Sequence, residues 1–299
     1  ARMTADSLNA QGIGKAQGIS RFVTLVHTEG CGGSTVKEFK DSLLGYLQHP
    51  KVRHALLLEH GCEITHNSYF RTLMAEHEIE PDQFGWASIQ LDGGIDAVTV
   101  KMNNWFTNRL TGDNTPQKSI VGMQAVRIAL MTHGELSETV ATQLATLTQR
   151  IVAGGGTVVV SDKDALLTSA YVDYLGLDHP TATLGYGQMI RQAGLHIMAT
   201  PRQHWSETIS GLGATGVELM VAHVEAHPMA GHPLVPVLQF TSGASSAADL
   251  DGVFADKDTI ASDVLSLIVD TLNGIHEPKH QRMGNDDFQI TRGLLGVSF

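Results

Sequence analysis

Two short segments bring thiol, imidazole and carboxylate together: His27-Thr28-Glu29-Gly30-Cys31-Gly32-Gly33 and Glu59-His60-Gly61-Cys62-Glu63. Cys, His and Glu suit a borderline divalent ion, iron(II), manganese(II) or zinc(II), better than hard magnesium. The flanking glycines let the backbone turn sharply, so that a loop can aim its side chains or amides at a ligand. Two other readings use the same residues: a thiolate nucleophile with histidine as its base, and two small buried side chains filling strand ends. Spacing leaves all three open, since neither a Cys-x-x-Cys pair nor a Gly-Lys-Ser/Thr phosphate loop occurs.

The second half offers three more groups. Gly154-Gly155-Gly156-Thr157 precedes a valine-rich run, either as an anion cradle or, the favoured reading, as a helix C-cap followed by a turn. Asp162 follows that run, at what would be the catalytic edge of a parallel sheet. The segment from His223 to Pro233 holds His223, Glu225, His227 and His232. If a strand continues to His227, alternation puts His223, Glu225 and His227 on one face, as metal ligands or an acid/base group; a solvated loop is the plain alternative. His179, His196 and His204 read as ordinary polar positions.

Strand-helix alternation must position these groups. Residues 21–27 and 54–60 are short apolar runs closed by glycine, the pattern of buried strands. A helix between them starts near Ser34 or Thr35, carries Val36, Phe39, Leu43, Leu44 and Leu47 on one face, and stops at His49-Pro50. Such a unit is a right-handed parallel crossover, so the Cys31 and Cys62 loops are expected at the same carboxyl edge. A third strand, 85–91, leads through Gln90-Leu91-Asp92-Gly93-Gly94 into a helix at 95–110. The turn-rich Thr111–Pro116 marks a boundary, giving domains 1–112 and 113–299. Beyond it, strands are expected near 119–131, 156–161, 195–199, 217–223 and 234–241, with helices at 137–153, 203–215 and 257–273. The fold class is α/β: two Rossmann-like layered domains with mainly parallel sheets.

Composition narrows the partners. The 299 residues are 42% hydrophobic and 17% charged, with mean hydropathy near zero, which excludes disorder and fibres. A net charge of -11 would repel phosphate backbones, so nucleic acid is not an expected partner. No apolar run reaches a membrane span and no signal segment is recognisable, so the chain reads as soluble and cytoplasmic. Two cysteines are too few for a disulfide scaffold. Arg2–Leu8 reads as the middle of a helix with no N-cap before it, as if upstream chain were missing.

The order of motifs resembles the altronate and galactarate dehydratase family: His27-x-x-Gly30-Cys31, His49-Pro50-x-Val52, Gly61-Cys62-Glu63 and Gln90-x-x-Gly93-Gly94. It continues through Gly122-x-Gln124, Gly155-Gly156-Thr157, Gly194-Leu195-x-x-Met198-x-x-Pro201, Gly213-Ala214-x-Gly216, Pro233-x-x-Pro236 and Phe288-x-Ile290-x-Arg292. The resemblance implies loss of water from a sugar acid, aided by a divalent metal, iron or manganese first and zinc next. It implies metal ligation by His27, Cys31, His60, Cys62 and Glu63 and substrate binding by Gln90, Gly93, Gly94 and Gln124; in a hydro-lyase of this kind, proton transfer falls to Asp162, His223, Glu225 or His227, the residues this chain has of its own. Three motifs depart. Where the family has Gly-x-Gln-Cys-Gly-Gly-Ser-Asp, this chain has Gly122-Met123-Gln124-Ala125-Val126-Arg127-Ile128-Ala129; Ser-Glu-Thr-Pro-Glu becomes Ser161-Asp162-Lys163-Asp164; and Thr-Thr-Gly-Arg-Gly becomes His223-Val224-Glu225-Ala226-His227, which removes an arginine suited to gripping a carboxylate. Two main expectations follow: a hydro-lyase with a changed acid substrate, or a diverged domain serving as a binding, regulatory or structural subunit. A thiol hydrolase using Cys31 or Cys62 is a third. A homo-oligomer, or association with a missing N-terminal segment, is the expected assembly.

Overall fold

The structure is a computed structural model and describes residues 1–26, 37–111, 119–168, 170–178, 180–225, 227–243, 248–254 and 258–291. The chain divides into two compact units, Ala1–Lys40 with Val52–Ile120, and Asp41–Lys51 with Val121–Phe299. Among the described residues, no helix is long and apolar enough to cross a membrane.

The elements of the first part of the chain are α1 (Arg2–Ala10), α2 (Lys37–Leu47), β1 (Leu56–Glu59), α3 (Asn67–Glu76), β2 (Gly85–Ser88) and α4 (Ile95–Thr111). Strands β1 and β2 pair in parallel, from Leu56 opposite Gly85 to Glu59 opposite Ser88, with α3 as the crossover. His66 starts α3 by accepting the amide of Tyr69 on Nδ1, and Phe70, Leu73 and Met74 bury its apolar side at helical spacing. Ala87, Val98 and Met102 form a small core with Leu56, Leu58 and Ile89.

The expected strand at 21–27 is not formed by the described residues 21–26. The Asn9 side chain instead takes both backbone groups of Phe22, accepting its N–H at 2.7 Å and donating to its C=O at 2.8 Å. The buried side of α2 also differs from expectation. Phe39 and Leu44 are buried as expected, but Ser42 and Tyr46 share that side while Leu43 and Leu47 are half-buried, because Tyr46 finds hydrogen-bond partners inside.

The second unit holds β3 (Arg127–His133), α5 (Glu138–Ala153), β4 (Thr157–Ser161), α6 (Ala170–Leu175), β5 (Gly194–Met198), α7 (Trp205–Ala214), β6 (Leu219–Val224), β7 (Val237–Thr241), β8 (Gly252–Val253), α8 (Ile260–Leu272) and α9 (Lys279–Met283). Among the described residues its six strands are parallel in the order β5-β4-β3-β6-β7-β8. Counted within the unit this is 3-2-1-4-5-6, a doubly wound sheet whose switch point lies between β3 and β6. Fully buried runs such as Val158-Val159-Val160 are what a sheet covered on both faces requires. One face packs on Val140, Leu144, Leu147 and Ile151 of α5 and on Ile260, Val264 and Ile268 of α8. Gly154 to Gly156 end α5: Gly155 has φ 82° and its amide bonds Val152 O, while that of Gly156 bonds Ile151 O. The glycines are a helix terminus rather than a cradle.

Candidate functional site

In the first unit, the carboxyl ends of β1 and β2 open into two adjoining loops. The Ile89 amide bonds Glu59 O and the Gln90 amide bonds His60 O, which ties the loops together. Gly61 (φ 115°) is required here, because a Cβ would sit 2.9 Å from the Gln90 side chain. Gly93 and Gly94, at φ 89° and 96°, turn the second loop into α4. Cys62 Sγ and His60 Nδ1 lie 3.4 Å apart, both exposed. Glu63 behaves differently: its two oxygens accept the amides of His60 and Gly61 at 2.7 and 2.8 Å. Partial burial acts to raise its pKa, but these amides, its own amide and His60 together hold the carboxyl below its usual range. Glu63 braces the loop, and Cys62 and His60 are the donors that converge.

Beside this loop lies a cavity of about 440 Å³, lined among others by Glu59, Asn67, Arg71, Trp86, Asp92 and Lys101. Buried Glu59 accepts the Asn67 amide at the start of α3. Lys101 bonds both oxygens of Asp92, at 2.7 and 2.8 Å, and holds that carboxyl below its usual range, helped by the Ser88 amide. Arg71 lies over the Trp86 ring, 4.7 Å from its centroid.

The second unit has its own cavity, about 390 Å³, at the switch point. His223 at the end of β6, Glu225 just beyond it, Glu135 and Ser137 from the loop after β3, and Thr241 and Ser242 after β7 line it. His223 is 3% exposed; its Nε2 lies 3.2 Å from Ser242 Oγ, and its buried Nδ1 has no partner among the described residues. Burial lowers its pKa to about 4 against the opposing pull of Glu225, so the ring is neutral at physiological pH. Glu225 Oε2 accepts the Glu135 amide at 3.2 Å.

The other sequence-predicted residues fall elsewhere. β6 ends at Val224, so alternation does not reach His227, which is exposed outside this lining. Asp162, exposed at the carboxyl end of β4, accepts the Thr200 amide at 2.8 Å and does not line the cavity. Gln124 precedes β3, at the opposite, amino edge from His223. The segment that the resemblance sets against Gln-Cys-Gly-Gly-Ser-Asp is therefore an amino-edge turn running into core; the carboxyl-edge loop is His133-Gly134-Glu135-Leu136-Ser137, with imidazole, carboxylate and hydroxyl of its own. His27, Cys31 and Ala226 lie outside the described residues.

Three buried histidines of the second unit are spent on structure. His232 Nδ1 accepts the amides of Leu234 and Val235, leaving Nε2–H to donate to Tyr46 Oη, 2.8 Å away, whose O–H donates to Ser210 O. His49 accepts the Lys51 amide and donates to Val217 O. His280 accepts the Val237 amide and donates to Asp286. The string His276-Glu277-Pro278-Lys279-His280 has zinc-helix spacing. Pro278 caps α9 in its middle, however, and His276 pairs with Asp251, so its two rings do not share a helical face.

Residues 1–108 match the family model described as D-galactarate dehydratase/Altronate hydrolase, second domain. This segment belongs to that family. The dehydratase-family segment contains β1, α3, β2 and the Cys62 and Gln90 loops, and it ties the chain to a role related to sugar-acid dehydration. No curated protein matches the chain. Sequence reasoning missed Arg71 and Lys101 in the first cavity and Glu135, Ser137, Thr241 and Ser242 in the second. The polar cap at His66 does signal a helix immediately after the Gly-Cys-Glu loop, and Arg71 stands little more than one turn into it.

Proposed function

We propose that this chain is a metal-dependent hydro-lyase acting on a sugar acid or related hydroxy acid. The observation that carries the reading is the Cys62–His60 pair at the carboxyl edge of the family-matched segment, beside a polar cavity. Two ligands of a tetrahedral ion at ordinary sulfur and imidazole bond lengths stand ~3.6 Å apart, so a spacing of 3.4 Å fits. Among the described residues no group of three His, Cys, Asp or Glu is set to hold a metal; His27 and Cys31 complete the set in the proposal. A divalent ion held there would supply Lewis-acid stabilisation of the negative charge that develops on the substrate.

In a 2,3-dihydroxy acid, a base removes the C2 proton, the electron pair forms the C2–C3 double bond, the C3 hydroxyl leaves as water with a proton from an acid, and the enol becomes a 2-oxo acid. His223, whose neutral imidazole lines the second unit's cavity with Nε2 beside Ser242 Oγ, is the proposed base, with Glu225 in the same lining as the carboxyl partner; Asp162 and His227 are the weaker candidates. Gln90, Gly93 and Gly94 contribute loop groups for the substrate. The test is to incubate the full chain with iron(II) or manganese(II) and D-galactarate, D-altronate and related acids, and to trap 2-oxo acid as its semicarbazone. Metal-dependent product is expected; a properly folded, metal-loaded chain that forms none from the whole panel overturns the reading and favours a diverged binding subunit.

A further inference from the structure

We infer that Arg71 anchors the carboxylate of the ligand in the first unit's cavity, which makes that ligand a carboxylate-terminated polyol rather than a phosphate ester or an uncharged sugar. This rests on the sugar-acid reading and names a grip for it in place of the arginine missing at Ala226.

The cavity holds two cations, Arg71 and Lys101, and two carboxylates, Glu59 and Asp92, so its formal charge cancels. What decides recognition is which cation still has donors to give. Lys101 is committed to both oxygens of Asp92. Among the described residues, Arg71 makes no ion pair or hydrogen bond to protein; its one contact is the face of Trp86. That contact holds the guanidinium over the ring while leaving its N–H donors unspent on protein acceptors among the described residues. Trp86 is itself held, its indole N–H donating to Pro81 O at 3.0 Å. A planar fork of donors matches a carboxylate in two parallel hydrogen bonds. Glu59 and Asp92 would repel the second charge of a phosphate. At the same time, Glu59 and Ser88 give the hydroxyls of a polyol acceptors and a donor at the strand ends.

The test is calorimetric titration of the full chain, as parent, Arg71→Met and Arg71→Lys, with D-galactarate, D-gluconate, galactitol and inorganic phosphate. The methionine keeps an apolar stem against Trp86, and Arg71 is exposed, so folding should persist, checked by circular dichroism. Expected are binding of the sugar acids by the parent, affinity weaker by about 10- to 100-fold in Arg71→Met, partial recovery in Arg71→Lys, and little binding of galactitol or phosphate. Unchanged sugar-acid affinity in Arg71→Met overturns the anchor, as does phosphate binding equal to that of the acids, or no sugar-acid binding by the parent. Turnover with an affinity indifferent to Arg71 sinks the anchor alone. Arg71-dependent binding without turnover sinks the dehydratase reading alone.

Discussion

The two units treat their polar residues in opposite ways. In the second, a six-stranded sheet buried on both faces uses His49, His232 and His280 as internal hydrogen-bond junctions, each accepting a backbone amide on one nitrogen and donating from the other. In the first, a two-stranded sheet with a small core leaves Cys62 and His60 at the surface of a strand-end loop and Arg71 on the exposed side of α3. Residue type alone does not separate the two uses. What separates them is whether the fold has already used the lone pairs and donors. His223 is the exception within the second unit, the buried imidazole with a nitrogen left over.

The largest effect should come from that exception. His223→Gln is expected to lower kcat by about 10²–10⁴ with the fold intact, measured on whichever sugar acid the screen identifies. A rate unchanged in this variant would return His223 to the structural group. Next, His232→Ala leaves two backbone amides without an acceptor and removes the donor to Tyr46 Oη, and should destabilise the chain by on the order of 3 kcal/mol in denaturant unfolding. A loss near zero would break the contrast from the other side.

The pH dependence of stability sharpens it further. His49 and His223 both have pKa values lowered to about 4 by burial, against 6.5 when unfolded. Between these values the unfolded chain binds more protons, so stability is complete above pH 6.5 and falls as pH drops toward 4, by on the order of 3 kcal/mol for each fully buried imidazole. Unfolding midpoints across pH 4 to 7 should show this slope, and it should shrink in His49→Gln. The smallest effect is expected at Glu63→Gln, which weakens two amide bonds in the first unit's loop at a cost of about 1 kcal/mol. Because the Glu63 carboxyl is held below its ordinary range, its contribution is present above that range and lost as pH falls through the folded value.

Much of the frame was legible because burial leaves a periodic trace. Valine runs and glycine-closed segments located β4 to β7, α5, α7 and α8 within a few residues, although β3 begins eight residues later than expected, and Asp162 stands at the carboxyl edge as expected. Hydrogen-bond partnership leaves no such trace. Nothing in the apolar pattern of 21–27 reveals that Asn9 will take the backbone of Phe22, and nothing in Leu43 and Leu47 reveals that Tyr46 will displace them from the buried face of α2. That Gln124 stands at the amino edge of β3 was not legible, because a glycine-rich string does not say which end of a strand it occupies. Arg71 was missed because its significance lies in a stacked ring 15 positions later.

The central claim is that the Cys62 loop of the dehydratase-family segment holds a working metal. The most direct measurement is elemental analysis of the full chain, purified without oxygen or chelator, beside Cys31→Ala and Cys62→Ala. Stoichiometric iron, manganese or zinc in the parent, lost from both variants, is the predicted result. A parent that stays metal-free after reconstitution, or a Cys62→Ala chain that keeps its metal in full, would contradict it.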